Sequence, residues 1–260
     1  MTSIYERFRD SIRSEVPVAL ATLIEGPEVG AKLLIEESGF ALGSLGGPAL
    51  DRVVSRDAIA MLEAGTSEVR HYGPEGEARQ HDLSVFIECH ARRPHLVIFG
   101  AVDFTRALAS QGKLLGFRVT VCDAREVFAT RRRFPMADEV VVDWPDRLLE
   151  RIGSDLGPRD AVCVLTHDAK FDVPAIMGAL PTRVGYLGAM GSRQTHEKRV
   201  ERLLEEGVTS AEHERVSSPI GLDIGGRTPE ETAVSIVAEI IALRTGREAP
   251  SLSEGKGSIH

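Results

Sequence analysis

The chain is short of basic charge, short of cysteine and without any long apolar run, and each shortage removes a class of function. Its 31 Lys and Arg are outnumbered by 39 Asp and Glu, giving a formal net charge of −8 over 260 residues and a pI near 5.6. General affinity for nucleic acid or for an anionic membrane needs an excess of exposed cations, so neither partner is expected and any anion site has to be local. No segment is apolar for the length a membrane helix requires. The first residues, MTSIYERFRDSIRSE, are charged throughout and contain no apolar core for a signal peptide, so the expected address is cytoplasmic. The three cysteines, Cys89, Cys122 and Cys163, are odd in number and widely spaced. They offer neither a disulfide framework nor a CxxC metal site, and their apolar surroundings predict buried thiols.

What is present is enough material for one large domain or two smaller ones, with 42% hydrophobic residues. The first third predicts strands at PVALATL, AKLLIEE and GFALGSL, a helix over 50–63, then strands over 68–72 and 83–88. The polar stretch ECHARRPHL, which contains Pro94, precedes a change of rhythm. Beyond it the apolar runs LVIFGA, RVTVCD, EVVVDW, AVCVLT and RVGYLG alternate with segments long enough for crossover helices. Strands apolar on both faces belong in a parallel sheet covered by helices. The expected class is therefore α/β, with a C-terminal Rossmann-like doubly wound parallel sheet preceded by a small α+β domain. The boundaries that follow are 1–93, 94–246 and a flexible tail over 247–260. The last helix is the clearest element, because Thr228 can cap, Pro229 suits the first helical position and Glu231 closes a capping box.

Residues 96–125, LVIFGAVDFTRALASQGKLLGFRVTVCDAR, begin as a dinucleotide site does and then depart from one. Gly100 supplies the first glycine of the turn, but Val102 stands where a pyrophosphate would press on the backbone, and Asp103 repels phosphate. Asp123 lies at the end of the second strand, where an acid bonds ribose hydroxyls or, equally, caps the next turn. Arg131, Arg132 and Arg133 form the densest basic run, either solvated or placed over a phosphorylated ligand. LTHDAKFD brings Thr166, His167, Asp168 and Asp172 to the carboxyl edge of the fourth strand. A His beside an Asp can hold a proton or a metal, and an Asp there can also cap a helix.

In GAMGSRQTHEKR, Gly188 and Gly191 predict a flexible loop and Ser192 a helix cap, with Arg193, Thr195, His196, Lys198 and Arg199 crowded into the first turns. Cations at that end oppose the helix dipole unless an anion binds, so an anion pocket is expected. SPIGLDIGGRTPEE adds Asp223 between glycines, in a compact loop that turns the carboxylate toward a ligand or toward backbone.

Together, LGFRVTVCDAR, RFPMADEV, LTHDAKFDVPA, GYLGAMGSRQTHEKR and SPIGLDIGGRTPEETAVSIVAEI resemble the XdhC/CoxI family of maturation factors for molybdenum hydroxylases such as xanthine dehydrogenase and CO dehydrogenase. The likeness covers roughly residues 95–245, with a weaker one through GFALGSLGGPALDRVV and LSVFIE. It implies a chaperone or insertion factor rather than a turnover enzyme. Such a protein binds molybdenum cofactor, as molybdopterin or its nucleotide form, protects it while the terminal sulfur is installed, and delivers it to the apo molybdenum hydroxylase. A cysteine desulfurase or sulfurtransferase becomes a candidate partner, and a homodimer is the default for meeting a dimeric client.

The residues expected to hold the cofactor are Gly100, Asp123, His167, Asp168, Gly188, Gly191, Ser192, Arg193, His196, Arg199 and Asp223. Two departures stand out: Pro48 occupies the place of the family's first-domain cysteine, and GAVDFT replaces GAGHVA after the first Rossmann strand. Two rival readings remain, an NAD(P)-dependent oxidoreductase and a divergent interaction scaffold.

Overall fold

The computed structural model describes residues 3–77 and 80–254, and the chain divides into two compact units, Met1–Arg92 and Arg93–His260. The expected polar tail falls partly on residues 255–260, which lie outside the described residues. No helix among the described residues is long and apolar enough to cross a membrane.

The first unit contains α1 (Ile4–Arg13), β1 (Val18–Glu25), β2 (Lys32–Glu36), β3 (Ala41–Ser44), α2 (Pro48–Ala64), β4 (Glu68–Tyr72) and β5 (Leu83–His90). Its strands form an antiparallel sheet in the order β3-β2-β1-β5-β4. α2 buries Leu50, Val54, Ala58, Met61 and Leu62, an apolar stripe at helical spacing. Pro48 is its first residue, where a missing N–H costs nothing and a fixed φ favours the helix. At this position the proline is a helix starter.

The second unit contains β6 (His95–Phe99), α3 (Asp103–Leu114), β7 (Arg118–Cys122), β8 (Glu139–Val141), α4 (Pro145–Ile152), β9 (Ala161–Val164), α5 (Ala169–Ala179), β10 (Tyr186–Ala189), α6 (Arg193–Glu205), α7 (Ser210–His213), β11 (Val216–Ser217) and α8 (Pro229–Thr245). All six strands are parallel, in the order β11-β10-β9-β6-β7-β8. Successive β6 residues serve opposite cores. Leu96 and Ile98 join Leu108 of α3 and Ile236 of α8, whereas Val97 and Phe99 join Leu149 of α4 and Ile176 of α5. Both faces of the sheet are thus covered, as the doubly apolar strands predict.

The chain runs outward in one direction through β6, β7 and β8, then returns to the middle and runs the other way through β9, β10 and β11. The reversal falls between β6 and β9, and the helices that follow these two strands, α3 and α5, cover opposite faces of the sheet. In open α/β sheets the carboxyl edge at such a reversal is where ligands bind. α8 starts as its sequence predicts: the Thr228 side chain accepts from the Glu231 N–H, and the Glu231 carboxylate accepts from the Thr228 N–H.

Candidate functional site at the carboxyl edge of the parallel sheet

The turn after β6 is closed by its own side chains. Gly100 has φ +105°, and a Cβ there would lie 2.6 Å from Thr166 Cγ2; only glycine permits the loop after β9 to pass so close. Thr105, fully buried, donates to the Gly100 carbonyl and accepts from the Val102 N–H at 3.3 Å. The Ala101 N–H donates to Asp123 Oδ2 at 2.8 Å, and Arg133 Nη1 donates to the Ala101 carbonyl at 2.9 Å. Two amides that would face a pyrophosphate are therefore already used inside the protein.

Asp123, expected to bond ribose or cap a turn, is buried and saturated. Oδ1 accepts from the N–H and Nε of Arg125, and Oδ2 accepts from the Ala101 N–H and Arg125 Nη2, all within 2.9 Å. Burial works to raise its pKa, but these hydrogen bonds and the Arg125 charge outweigh it, so the carboxyl titrates below its ordinary range. The arginine run is likewise engaged: Arg131 donates to the carbonyls of Ala137 and Asp138, and Arg133 also reaches the carbonyl of Phe128. Arg132 alone of the three is exposed without a partner among the described residues.

After β9, the Thr166 hydroxyl donates to Asp172 Oδ1 and the Asp168 side chain caps α5 by accepting from the Lys170 N–H at 3.2 Å. Asp172 is buried; its Oδ2 accepts from Arg199 Nη2 at 3.0 Å. Burial pushes the Asp172 carboxyl up to about 6 against the pull of Arg199.

The GAMGSR segment differs from its expectation in two respects. Gly188 is not in a loop. It lies in β10, and a Cβ there would meet Ile220 and the Tyr186 hydroxyl at 2.6 Å, so its role is to admit the segment after β11. Arg199 is not in an open pocket either. It is 4% exposed, and besides Asp172 it donates to the Met190 carbonyl at 2.7 Å and Ser218 Oγ at 3.0 Å, while its Nε has no partner among the described residues. The signal was its spacing, four residues before buried Leu203 on the inward stripe of α6.

The remaining residues keep an open edge. Ser192 caps α6 by accepting from the Thr195 N–H at 3.1 Å, no acid stands in the first turn, and Arg193 is exposed. That leaves the first-turn N–H groups of Arg193 and Gln194 facing outward. His196 is part-buried, and burial, then Arg199 and His213, lower its pKa. His167 and Asp223 are exposed in neighbouring loops, and among the described residues no hydrogen bond ties them to the Thr166–Asp172–Arg199 group.

In the sequence Thr105 reads only as a residue standing, with Val102, where the glycine-rich turn would continue, and nothing there singles out Glu239, whose carboxylate accepts from the Tyr186 hydroxyl and from the Gly221 N–H. Among the described residues no group of three or more His, Cys, Asp or Glu side chains is placed to hold a metal ion. Nor is there an accessible thiolate: burial pushes Cys89 up to about 11 and Cys122 up to about 12, and raises Cys163 further. Among the described residues of this edge, Ser192 and Arg193 offer polar groups to solvent, and neither Cys122 nor Cys163 offers a thiolate.

Comparison with known proteins agrees with this architecture. Residues 96–240 match the XdhC Rossmann domain, and residues 11–73 match the XdhC and CoxI family. A Bacillus subtilis protein named as a probable xanthine dehydrogenase component is 36% identical over 161 residues, 62% of this chain and 46% of that protein. The molybdenum cofactor insertion chaperone PaoD of Escherichia coli is 33% identical over 91 residues, 35% of this chain and 29% of that protein. An uncharacterized Escherichia coli protein, YqeB, is 28% identical over 240 residues, 88% of this chain and 44% of its own length. The chain spans less than half the length of these curated relatives. The crystal structure of a protein named a xanthine dehydrogenase, from Bacillus halodurans, shares the fold with a TM-score of 0.56 at 23% identity, covering 94% of this chain and 97% of that one.

Proposed function

The chain belongs to the XdhC and CoxI family, and from that premise we propose that it serves the maturation of a molybdenum hydroxylase in the cytoplasm, holding molybdenum cofactor and passing it to the apo-enzyme. A relative named as a molybdenum cofactor insertion chaperone supports this direction. The observation that carries the reading is the start of α6: a capped helix with outward N–H groups, exposed Arg193 and no first-turn acid, at the carboxyl edge of a parallel sheet. An anion suits that end, and the pterin carries a phosphate.

The donor set defines how such a ligand would be held. Ser192, Arg193 and the first-turn amides would take the phosphate, with His167, Asp168 and Asp223 on adjacent loops and His196 behind them. Thiolate ligation of molybdenum does not fit the second unit, whose two cysteines are both buried with raised pKa. The cofactor would thus be gripped through its organic part, its metal end free for a sulfurtransferase or for the client. An NAD(P)-dependent oxidoreductase fits less well, because the Ala101 and Val102 amides are spent.

The test is mass spectrometry, with pterin fluorescence after acid oxidation, on protein purified from a host that makes molybdenum cofactor. Stoichiometric pterin, lost in Arg193→Ala, is the expected result. No pterin, with an apo-hydroxylase bait still captured, would replace this reading by that of a scaffold.

A further inference from the structure

Three consecutive edge loops converge on one aromatic ring, and nothing in the proposed phosphate site uses it. Phe171, in the first turn of α5, is almost fully buried. Trp144, the residue that precedes α4, packs on it at 5.1 Å between centroids with the planes 33° apart. The Arg125 guanidinium, from the loop after β7, stands 5.5 Å from the same ring and 4.7 Å from that of Phe128; Lys170 Nζ is 4.9 Å from Phe171. Trp144 and Phe128 nevertheless keep 39% and 40% of their surface in solvent, and Val142 and Val127 beside them in sequence are exposed as well.

We infer that Trp144, Phe128 and Phe171, with Arg125 and Lys170 at their margin, form a platform that stacks the planar heteroaromatic base of a nucleotide. Position supports this, because the platform spans the carboxyl ends of β7, β8 and β9, on the β6-to-β8 side of the reversal and the β9 strand next to it. Chemistry supports it too. Aromatic faces stack any base, and cations over them add attraction to an electron-rich ring system and its phosphate.

Arg125 is held in place by Asp123 through Nε and Nη2, which leaves its Nη1 unengaged among the described residues. The Lys170–Asp168 pair spans 3.4 Å between half-exposed groups and is weak enough to be exchanged for a phosphate. With the pyrophosphate turn closed by Thr105 and Asp123, the ligand class is a mononucleotide or a phosphorylated heteroaromatic ring, not a dinucleotide that needs that turn. The inference rests on the maturation reading only in supposing a phosphorylated ligand at this edge.

Trp144 is the single tryptophan of the chain, so its fluorescence reports this platform alone. The full-length protein is titrated with AMP, CMP and GMP, with ribose 5-phosphate as the probe that lacks a base. The expected result is quenching that saturates with a midpoint at or below about 1 mM for at least one nucleotide and none with ribose 5-phosphate. Calorimetry on Trp144→Ala should show affinity about tenfold weaker, restored by Trp144→Phe, with the thermal transition checked in both. No saturable quenching by any of the three nucleotides, equal quenching by ribose 5-phosphate, or unchanged affinity in Trp144→Ala would each overturn the inference. The readout is independent of pterin content: nucleotide quenching without pterin would sink the maturation reading alone, and bound pterin with a silent Trp144 would sink the platform alone.

Discussion

Replacing Arg199 by methionine would leave the Asp172 carboxyl group, 3% exposed, with only the Thr166 hydroxyl for company. It would also strip the Met190 carbonyl and Ser218 of their donors. Removing one member of a buried ion pair costs about 3–5 kcal/mol, most of it the charge left behind. The cost should depend on pH. Burial holds the folded Asp172 near 6, above its ordinary value of 3.8, so between about pH 4 and 6 the native state keeps a proton that the unfolded chain gives up. Stability attributable to this group therefore falls as pH rises through that window and levels off above it.

Without Arg199 the opposing pull is gone, the folded pKa rises further, and the window extends upward. Urea unfolding of Arg199→Met should thus show a loss of about 3–5 kcal/mol at pH 8 but only about 1–2 at pH 5, where the carboxyl is protonated and only the hydrogen bonds are missed. The double variant Asp172→Leu, Arg199→Met should recover much of the loss at pH 8. A loss of under about 1 kcal/mol at pH 8, or one independent of pH, would refute the reasoning.

Three further outcomes are expected. Gly100→Ala should lower stability by at least about 2 kcal/mol in the same unfolding assay, since alanine is strained at φ +105° and its Cβ would collide with Thr166; a neutral result would mean the loop after β9 yields easily. In the native protein Cys122 and Cys163 should resist a thiol-titrating disulfide reagent until denaturant is added, and Cys89, half-buried with its pKa raised to about 11, should react slowly. Rapid native modification of two or more thiols would contradict the burial. Titration with NADH should give neither enhanced nicotinamide fluorescence nor a thermal shift; a saturable response would show that the Ala101 and Val102 amides can be released.

The parallel sheet was legible because its strands are apolar on both faces, and α8 because its cap, proline and capping box all fall within four residues. β11 was missed since two residues carry no periodicity; its only evidence is its register against Leu187 and Gly188. Where most candidate residues lie along the sheet edge was legible, whereas their partners within the fold were not. Arg131, Arg133 and Arg199 look alike as charges in a string, yet each is absorbed by carbonyls or a carboxylate brought from elsewhere by the fold. Gly188 reads as loop because glycine favours loops, whereas here it clears space for Ile220. Such partners are set by tertiary contact, which local pattern does not encode.

The peptide unit around Ala101 is fastened from both sides, its N–H by Asp123 and the adjoining carbonyl by Arg133, with Thr105 bridging the turn beneath. An engineer who set out to give this scaffold a dinucleotide site by restoring glycines at 102 and 105 alone would be disappointed. The first change leaves the amide of residue 101 still claimed, and the second removes a fully buried hydroxyl that closes the loop. Asp123 and Arg133 would have to be disengaged as well, and each step taken singly weakens the fold before any ligand can compensate. The turn is thus a one-way latch on the sequence landscape: simultaneous redesign can open it, and stepwise substitution is penalised at every stage.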